Sequence, residues 1–463
     1  MPIFCDQVFE EGCNPDKYPY GTGGYGHERR VRITAKKYFN QRILDVDGRF
    51  VRDTQYLHIA QYAVESKNIQ DQIRIAFRKV KGRKIDGKEI TAGLLKRNEK
   101  ISQLINADQA FKFMKNVRGS PAYWQRVFYD VLAMVRQLGC PTWFLSLSAA
   151  DLHWPELISL IANERGRQLS EEDISELTWD QKCEILRENP VTAARQFNYR
   201  IDKFFALFLK SSSNPVGRIT ETFVRIEFQA RGSPHAHALL WVENAPKIDE
   251  QSDEEVCQFI DRYVSCNSKP QQQHVLQEIS LQKHQHSSSC RRGSDKSCRF
   301  KYPQVPSSET IVRRPPEVTE HTKYWLELRG SLIKAVQEQI EKSLKEQPEP
   351  AILQDILESC GINQQLYNTA LATVPGGTAI TMKRETADVW TNNYNADILH
   401  AWRGNMDIQY VTDAYACIMY IVSYACKAEN SMSETLRQVV KENSNDDLRM
   451  LMKKVAATFL NHQ

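Results

Sequence analysis

The sequence predicts an α+β fold in which an antiparallel sheet is covered by helices. Three observations lead there. In PTWFLSLS, Trp143, Leu145 and Leu147 alternate with Thr142, Ser146 and Ser148, the period of two expected of a half-buried strand. RITETFVRIEFQ and HAHALLWVE are two β-rich runs joined by the turn residues ARGSP, which makes them a hairpin. Between strand and hairpin, Phe197, Ile201, Phe204, Phe205 and Phe208 recur at spacings of three and four, one apolar stripe of a helix spanning Val191 to Lys210.

The remaining elements fall around these. Residues 1–109 mix short amphipathic pieces with turns such as GTGGYG and read as an irregular N-terminal module. Residues 110–245 hold the first part of the sheet, entered by the helix AYWQRVFYDVLAMVRQLG that stops at Gly139. Residues 246–310 are rich in Gln, Ser and Lys and poor in apolar residues, an insert rather than a core. A helical insert follows over 311–380. Residues 381–463 return to the sheet, with TAITMKRETADVW (beginning just before that boundary) and GNMDIQYV as strands. They continue in the helix TDAYACIMYIVSYACKAEN, capped by Thr412 or Asp413.

Composition narrows the class. A chain of 463 residues with 41% hydrophobic and 25% charged residues is that of an ordinary soluble globular protein of two or three domains. No apolar run approaches the roughly 20 residues of a membrane span, and the first residues lack a secretory pattern. Eleven scattered cysteines argue against a disulfide framework and for a reducing compartment. The net charge of +4 identifies no partner, but Ile73–Lys88 holds seven Lys or Arg against one Asp, and Cys290–Lys301 is also basic. Such runs matter if they border a site that handles phosphate.

Two residue constellations carry metal chemistry. His235 and His237 are two apart on a strand and point to one face, where two imidazoles can share a divalent cation and leave positions open for phosphate oxygens. Glu227, across the hairpin turn, is the expected third ligand, with Gln229 its rival at the same parity. A hard carboxylate beside two imidazoles suits Mg²⁺ or Mn²⁺. Farther on, His284, His286, Cys290 and Cys298 lie within fifteen residues, the mixed thiolate and imidazole set that Zn²⁺ prefers, with Cys266 as an alternative to His284.

Tyr420 and Tyr424 are four apart, so they stack on one helix face, which Lys427 joins. A phenol is a weak nucleophile at its ordinary pKa of about 10, and a nearby cation and ammonium would both stabilise the phenolate. Tyr410 and Tyr415 lie off that face and read as structural. Asp407 and Gln409 are reserve ligands on a neighbouring strand. Asp151 with Glu156 is a weaker acid pair, and Trp124 and Trp143 are candidates for stacking on bases.

Several stretches together, FMKNVRGSPAYWQ, MVRQLGCPTWFLSLSAADLHWPEL, RIEFQARGSPHAHALLWVE, CRFKYP, NADILHAWRGNMDIQYV and MYIVSYACKAE, resemble the N-terminal replication-initiator region of Helitron rolling-circle transposases. The likeness runs from about residue 110 to 430 and is weaker near the N-terminus. It implies a HUH-type antiparallel sheet, a ferredoxin/RRM-like palm flanked by helices, with a small zinc-binding insert. It implies that His235 and His237 bind the metal, and that Tyr420 and Tyr424 attack single-stranded DNA to leave a 5′-phosphotyrosine and a free 3′-OH. A nuclear location follows from the family rather than from a targeting signal.

One departure limits the resemblance. Full transposases of this type carry a helicase, yet the chain has no G-x-x-x-x-G-K-[ST] phosphate loop, VPGGTAITMK being its nearest glycine-rich stretch. The expected activity is nicking and joining of one strand, with any helicase supplied separately. The reading from another class is a catalytically silent, transposon-derived module that binds single-stranded DNA.

Overall fold

The computed structural model describes residues 6–81, 84–85, 88–89, 113–117, 120–228, 232–270, 275–286, 290, 298–316, 322–346, 351–374, 376–421, 438–439, 442 and 453–458. The chain forms two compact units. One comprises Met1–Ala133, Arg187–Val191 and Met419–Gln463, the other Met134–Leu186 and Thr192–Ile418.

In the first unit the expected irregular module is instead helical. Helices Phe9–Cys13, Ala35–Ile43 and the 28-residue Thr54–Lys81 are followed by the two-residue strands β1 (Lys84–Ile85) and β2 (Lys88–Glu89). Their core is aromatic, built on Tyr18, Tyr38, Phe39, Phe50 and Tyr56. At its centre the Glu10 carboxylate accepts hydrogen bonds from the phenols of Tyr18, Tyr38 and Tyr56 and from the Tyr25 backbone N–H. The sequence suggested irregularity because these helices bury polar residues, which blur the apolar periodicity.

The second unit holds the predicted sheet. Its strands are β3 (Trp143–Ser148), β4 (Ile219–Phe228), β5 (Pro234–Val242) and β8 (Met406–Tyr410), in the order β4-β5-β3-β8 and antiparallel throughout. The register sorts every side chain onto one of two faces. Trp143, Leu145 and Leu147 share the inner face with Ala236, Ala238 and Leu240 and with Met406 and Ile408. All of these are buried in the main core, against Leu157, Ile158, Phe197, Ile201, Val256, Ile260 and Trp402 from helices Pro155–Asn163, Pro190–Lys203, Asp253–Tyr263 and Ala396–Trp402. The other face is polar at one end and carries the site.

Helix boundaries follow local chemistry. Helix Pro121–Leu138 starts on a proline and stops at Gly139, whose φ of +81° few other residues adopt at low cost. Ser252 and Glu255 form a capping box at Asp253–Tyr263. The predicted 191–210 helix is α-helical over Pro190–Lys203 and then widens to a π-turn, Phe204–Leu209. That widening lets Phe204, Phe205 and Leu209 all reach the core.

One predicted strand is corrected. TAITMKRETADVW does not rejoin the main sheet. Its Ala379–Thr381 segment (β7) pairs with Ile311–Arg313 (β6) as a separate ribbon, and a 3₁₀ turn, Thr386–Asp388, follows. The β propensity of this segment could not say which strand would be its partner; Val312 opposite Ile380 decides it. Helices Thr322–Glu346, Leu353–Ser359 and Gln364–Ala372 form their own small core around Val336, Ile340, Ile356 and Tyr367. No helix among the described residues is long and apolar enough to cross a membrane.

Candidate metal centres

On the polar face of the sheet the ladders set two rows side by side. Glu227, His235 and Ser148 are directly opposed in one, and Arg225, His237, Ser146 and Asp407 in the next. The two imidazole rings lie 4.6 Å apart between centroids. Ser148 Oγ is 2.9 Å from His235 Nδ1, which fixes that ring and leaves Nε2 as the nitrogen that could take a metal. Glu227 Oε2 lies 3.3 Å from His237 Nε2. Two donors on one cation, each at ~2.1 Å, stand about 3 Å apart, so this separation fits a shared ion.

The surroundings favour a charged carboxylate. His237 beside it holds the Glu227 carboxyl below the usual range, and Arg225 and His235 add to the effect. The His237 side chain is nearly enclosed, with Phe144 tilted against it at 5.8 Å. Backbone contacts brace the site from below. The Trp402 indole donates to the Ser148 carbonyl at 2.8 Å, and the Ser148 N–H donates to the Asn405 carbonyl at 2.9 Å. Gly404 permits this approach, since a Cβ there would sit 3.0 Å from the Ser148 oxygen.

The structure separates the rival ligands. Asp407 stands two strands from His237, about 10 Å between backbones. Glu227, by contrast, lies on the strand adjacent to both histidines. The Asp407 carboxylate is tied to Gln409, whose Nε2 donates to Asp407 Oδ2 at 2.7 Å. Gln229 lies outside the described residues. Glu156 is paired with Arg200, and Trp143 is wholly buried with its indole donating to the Val216 carbonyl, so neither the acid pair nor this stacking role is available. Trp124 is half-buried and packs edge-on against Tyr123. Ser148 and Arg225 went unnoticed in the sequence. Parity within the hairpin could have found Arg225, two residues before Glu227; Ser148 needed the β3–β5 register.

Of the three residues expected on the last helix, Tyr420 is described. It lies in the helical segment 414–421 and is 41% exposed. Asp413 rather than Thr412 caps this helix, accepting from the Ala416 N–H at 2.9 Å. Tyr424 and Lys427 lie outside the described residues.

The second centre is drawn together fully. Ligand atoms of His284, His286, Cys290 and Cys298 all lie within 4.8 Å of one another. Cys290 Sγ is 3.5 Å from His286 Nδ1, and Cys298 Sγ is 3.4 Å from His284 Nε2. Aromatic rings fix the imidazoles. Tyr302 stacks on His284 at 4.3 Å, and Trp390 meets His286 edge-on at 5.1 Å. Burial, with His286 adding, lowers the His284 pKa and favours the neutral ligand form. This set can hold a metal such as zinc. Cys266 is elsewhere: its thiol donates to the Lys383 carbonyl at 3.1 Å, and burial pushes its pKa up to about 11.

A family model described as the Helitron helicase-like domain at the N-terminus matches residues 37–240. The match takes in β3, β4 and nearly all of β5, and with them Glu227, His235 and His237. No curated protein matches the chain.

Proposed function

We propose, from the premise that residues 37–240 carry a Helitron-related domain, that the chain is a metal-dependent endonuclease and strand transferase of the HUH type acting on single-stranded DNA. A domain of this kind suggests a transposon-derived function with DNA as partner. The observation that carries the finer reading is the polar face of the sheet, where Glu227, His235 and His237 converge while Ser148 orients the first imidazole.

In this reading Glu227, His235 and His237 hold Mg²⁺ or Mn²⁺, and the cation supplies charge to polarise a scissile phosphate. Tyr420 or Tyr424 attacks phosphorus through its phenolate. A Tyr O–P bond forms, the bond to the 3′ oxygen breaks, and that oxygen leaves as a 3′-OH after taking a proton. The product is a 5′-phosphotyrosine, and the second tyrosine permits a second transfer. Lys427 would stabilise the developing charge. His284, His286, Cys290 and Cys298 hold Zn²⁺ as a closed structural site that orders an insert with little core of its own. Action on transposon ends implies a nuclear location.

The test is incubation of the chain with labelled single-stranded DNA and Mn²⁺, followed by denaturing gels. A covalent adduct that His237→Ala and the pair Tyr420→Phe, Tyr424→Phe abolish is the expected result. Absence of any adduct across varied sequences would favour a silent DNA-binding module; an adduct that survives the tyrosine pair would overturn their role.

A further inference from the structure

The four-ligand cluster does more to its surroundings than close a loop. Cys298 is followed by Arg299, Phe300 and Lys301, all exposed, in a turn closed by the Lys301 N–H donating to the Cys298 carbonyl at 2.8 Å. The Arg299 N–H donates to the Cys290 carbonyl at 2.9 Å, so two ligand residues anchor the turn at its base. Phe300 is 49% exposed. One part of it rests against the His284 imidazole at 5.7 Å, and the Arg299 guanidinium lies 4.5 Å over the ring. Lys283, next to His284, is exposed as well.

We infer that Arg299 and Phe300, with Lys283 and Lys301, form a stacking platform for single-stranded DNA, held in shape by the metal cluster. An aromatic ring topped by a planar guanidinium presents a π-surface to an unpaired base, and flanking ammonium groups meet the phosphates. A duplex offers no free base face. An acidic peptide would match the charge but leave the aromatic surface without a partner. The inference rests on the reading of the four residues as a zinc site. It does not need the chain to cut DNA.

The experiment uses the full chain, with zinc content measured and no Mg²⁺ or Mn²⁺ added. Fluorescence anisotropy follows binding of an oligothymidine of about twenty nucleotides and of an abasic strand of equal length. Phe300→Ala should weaken oligothymidine binding by roughly 5- to 100-fold, with little change on the abasic strand. Phe300→Trp should restore it. Phe300→Leu, which keeps the apolar contact with His284 but has no π-face, should remain weak. Equal losses on both strands, unchanged binding in the Ala and Leu variants, or preference for duplex would overturn the platform. Absence of zinc from the purified chain would fail the metal reading separately, and adduct assays on Phe300→Ala report on cleavage independently of both.

Discussion

Glu227 sits opposite His235 in the β4–β5 ladder, yet its carboxylate reaches diagonally to His237, with 3.3 Å between Oε2 and Nε2. One acidic side chain thereby pairs with His237 from the position opposite His235, and its loss should be felt first at His237. Glu227→Ala should weaken Mn²⁺ binding, measured by calorimetry, by more than the roughly tenfold expected when Ser148→Ala releases the His235 ring. Unchanged affinity in Glu227→Ala would remove this residue from the ligand set.

The two soft-ligand candidates Cys266 and Cys298 should behave in opposite ways. Cys298→Ser should lower zinc content and destabilise the second unit, since metal binding and folding are coupled. Cys266→Ser should leave zinc content intact, although a hydroxyl in its buried position costs on the order of 1–2 kcal/mol. Metal analysis by mass spectrometry separates them, and zinc loss from Cys266→Ser alone would reverse the assignment.

Asp407 gives the sheet a pH dependence. Burial pushes its carboxyl from 3.8 up to about 6, against the pull of Gln409. A carboxyl raised on folding binds its proton more tightly in the native state, so stability falls as pH rises across that interval. Asp407→Asn, which still accepts from Gln409, should raise the thermal midpoint at neutral pH by roughly 2–4 °C and give little gain in mild acid. A variant that is less stable at neutral pH would show that the charged form is favoured there.

The Glu10 knot sets the alkaline limit of the first unit. Burial, with the Glu10 carboxylate alongside, pushes Tyr38 up to about 12 and raises Tyr18 and Tyr56 as well. Phenols raised on folding retain their protons better in the native state, so stability is lost as pH climbs above about 10. Phenolate absorbance should therefore appear cooperatively, with unfolding. Glu10→Gln should cost about 2–3 kcal/mol, read from denaturant unfolding of this unit. A smooth titration near the ordinary phenol pKa would contradict the buried knot.

What was legible in the chain before folding is what local periodicity can encode. Alternation in Trp143–Ser148 specified β3, the apolar stripe from Phe197 to Phe205 specified a helix, and the pairs His235/His237 and Cys290/Cys298 marked ligand chemistry by residue type and spacing. Partners distant in the chain were not legible. Folding chose β3 as the partner of β8, whose return to the sheet the sequence pattern already indicated, sent Ala379–Thr381 to a separate ribbon, and chose His284 over Cys266. Those choices depend on contacts between segments far apart in the chain, which leave no trace in a local pattern. The hydrophobic register of the whole sheet put Glu227 directly opposite His235 and left Asp407 two strands from His237, because strand pairing fixes which side chains share a row.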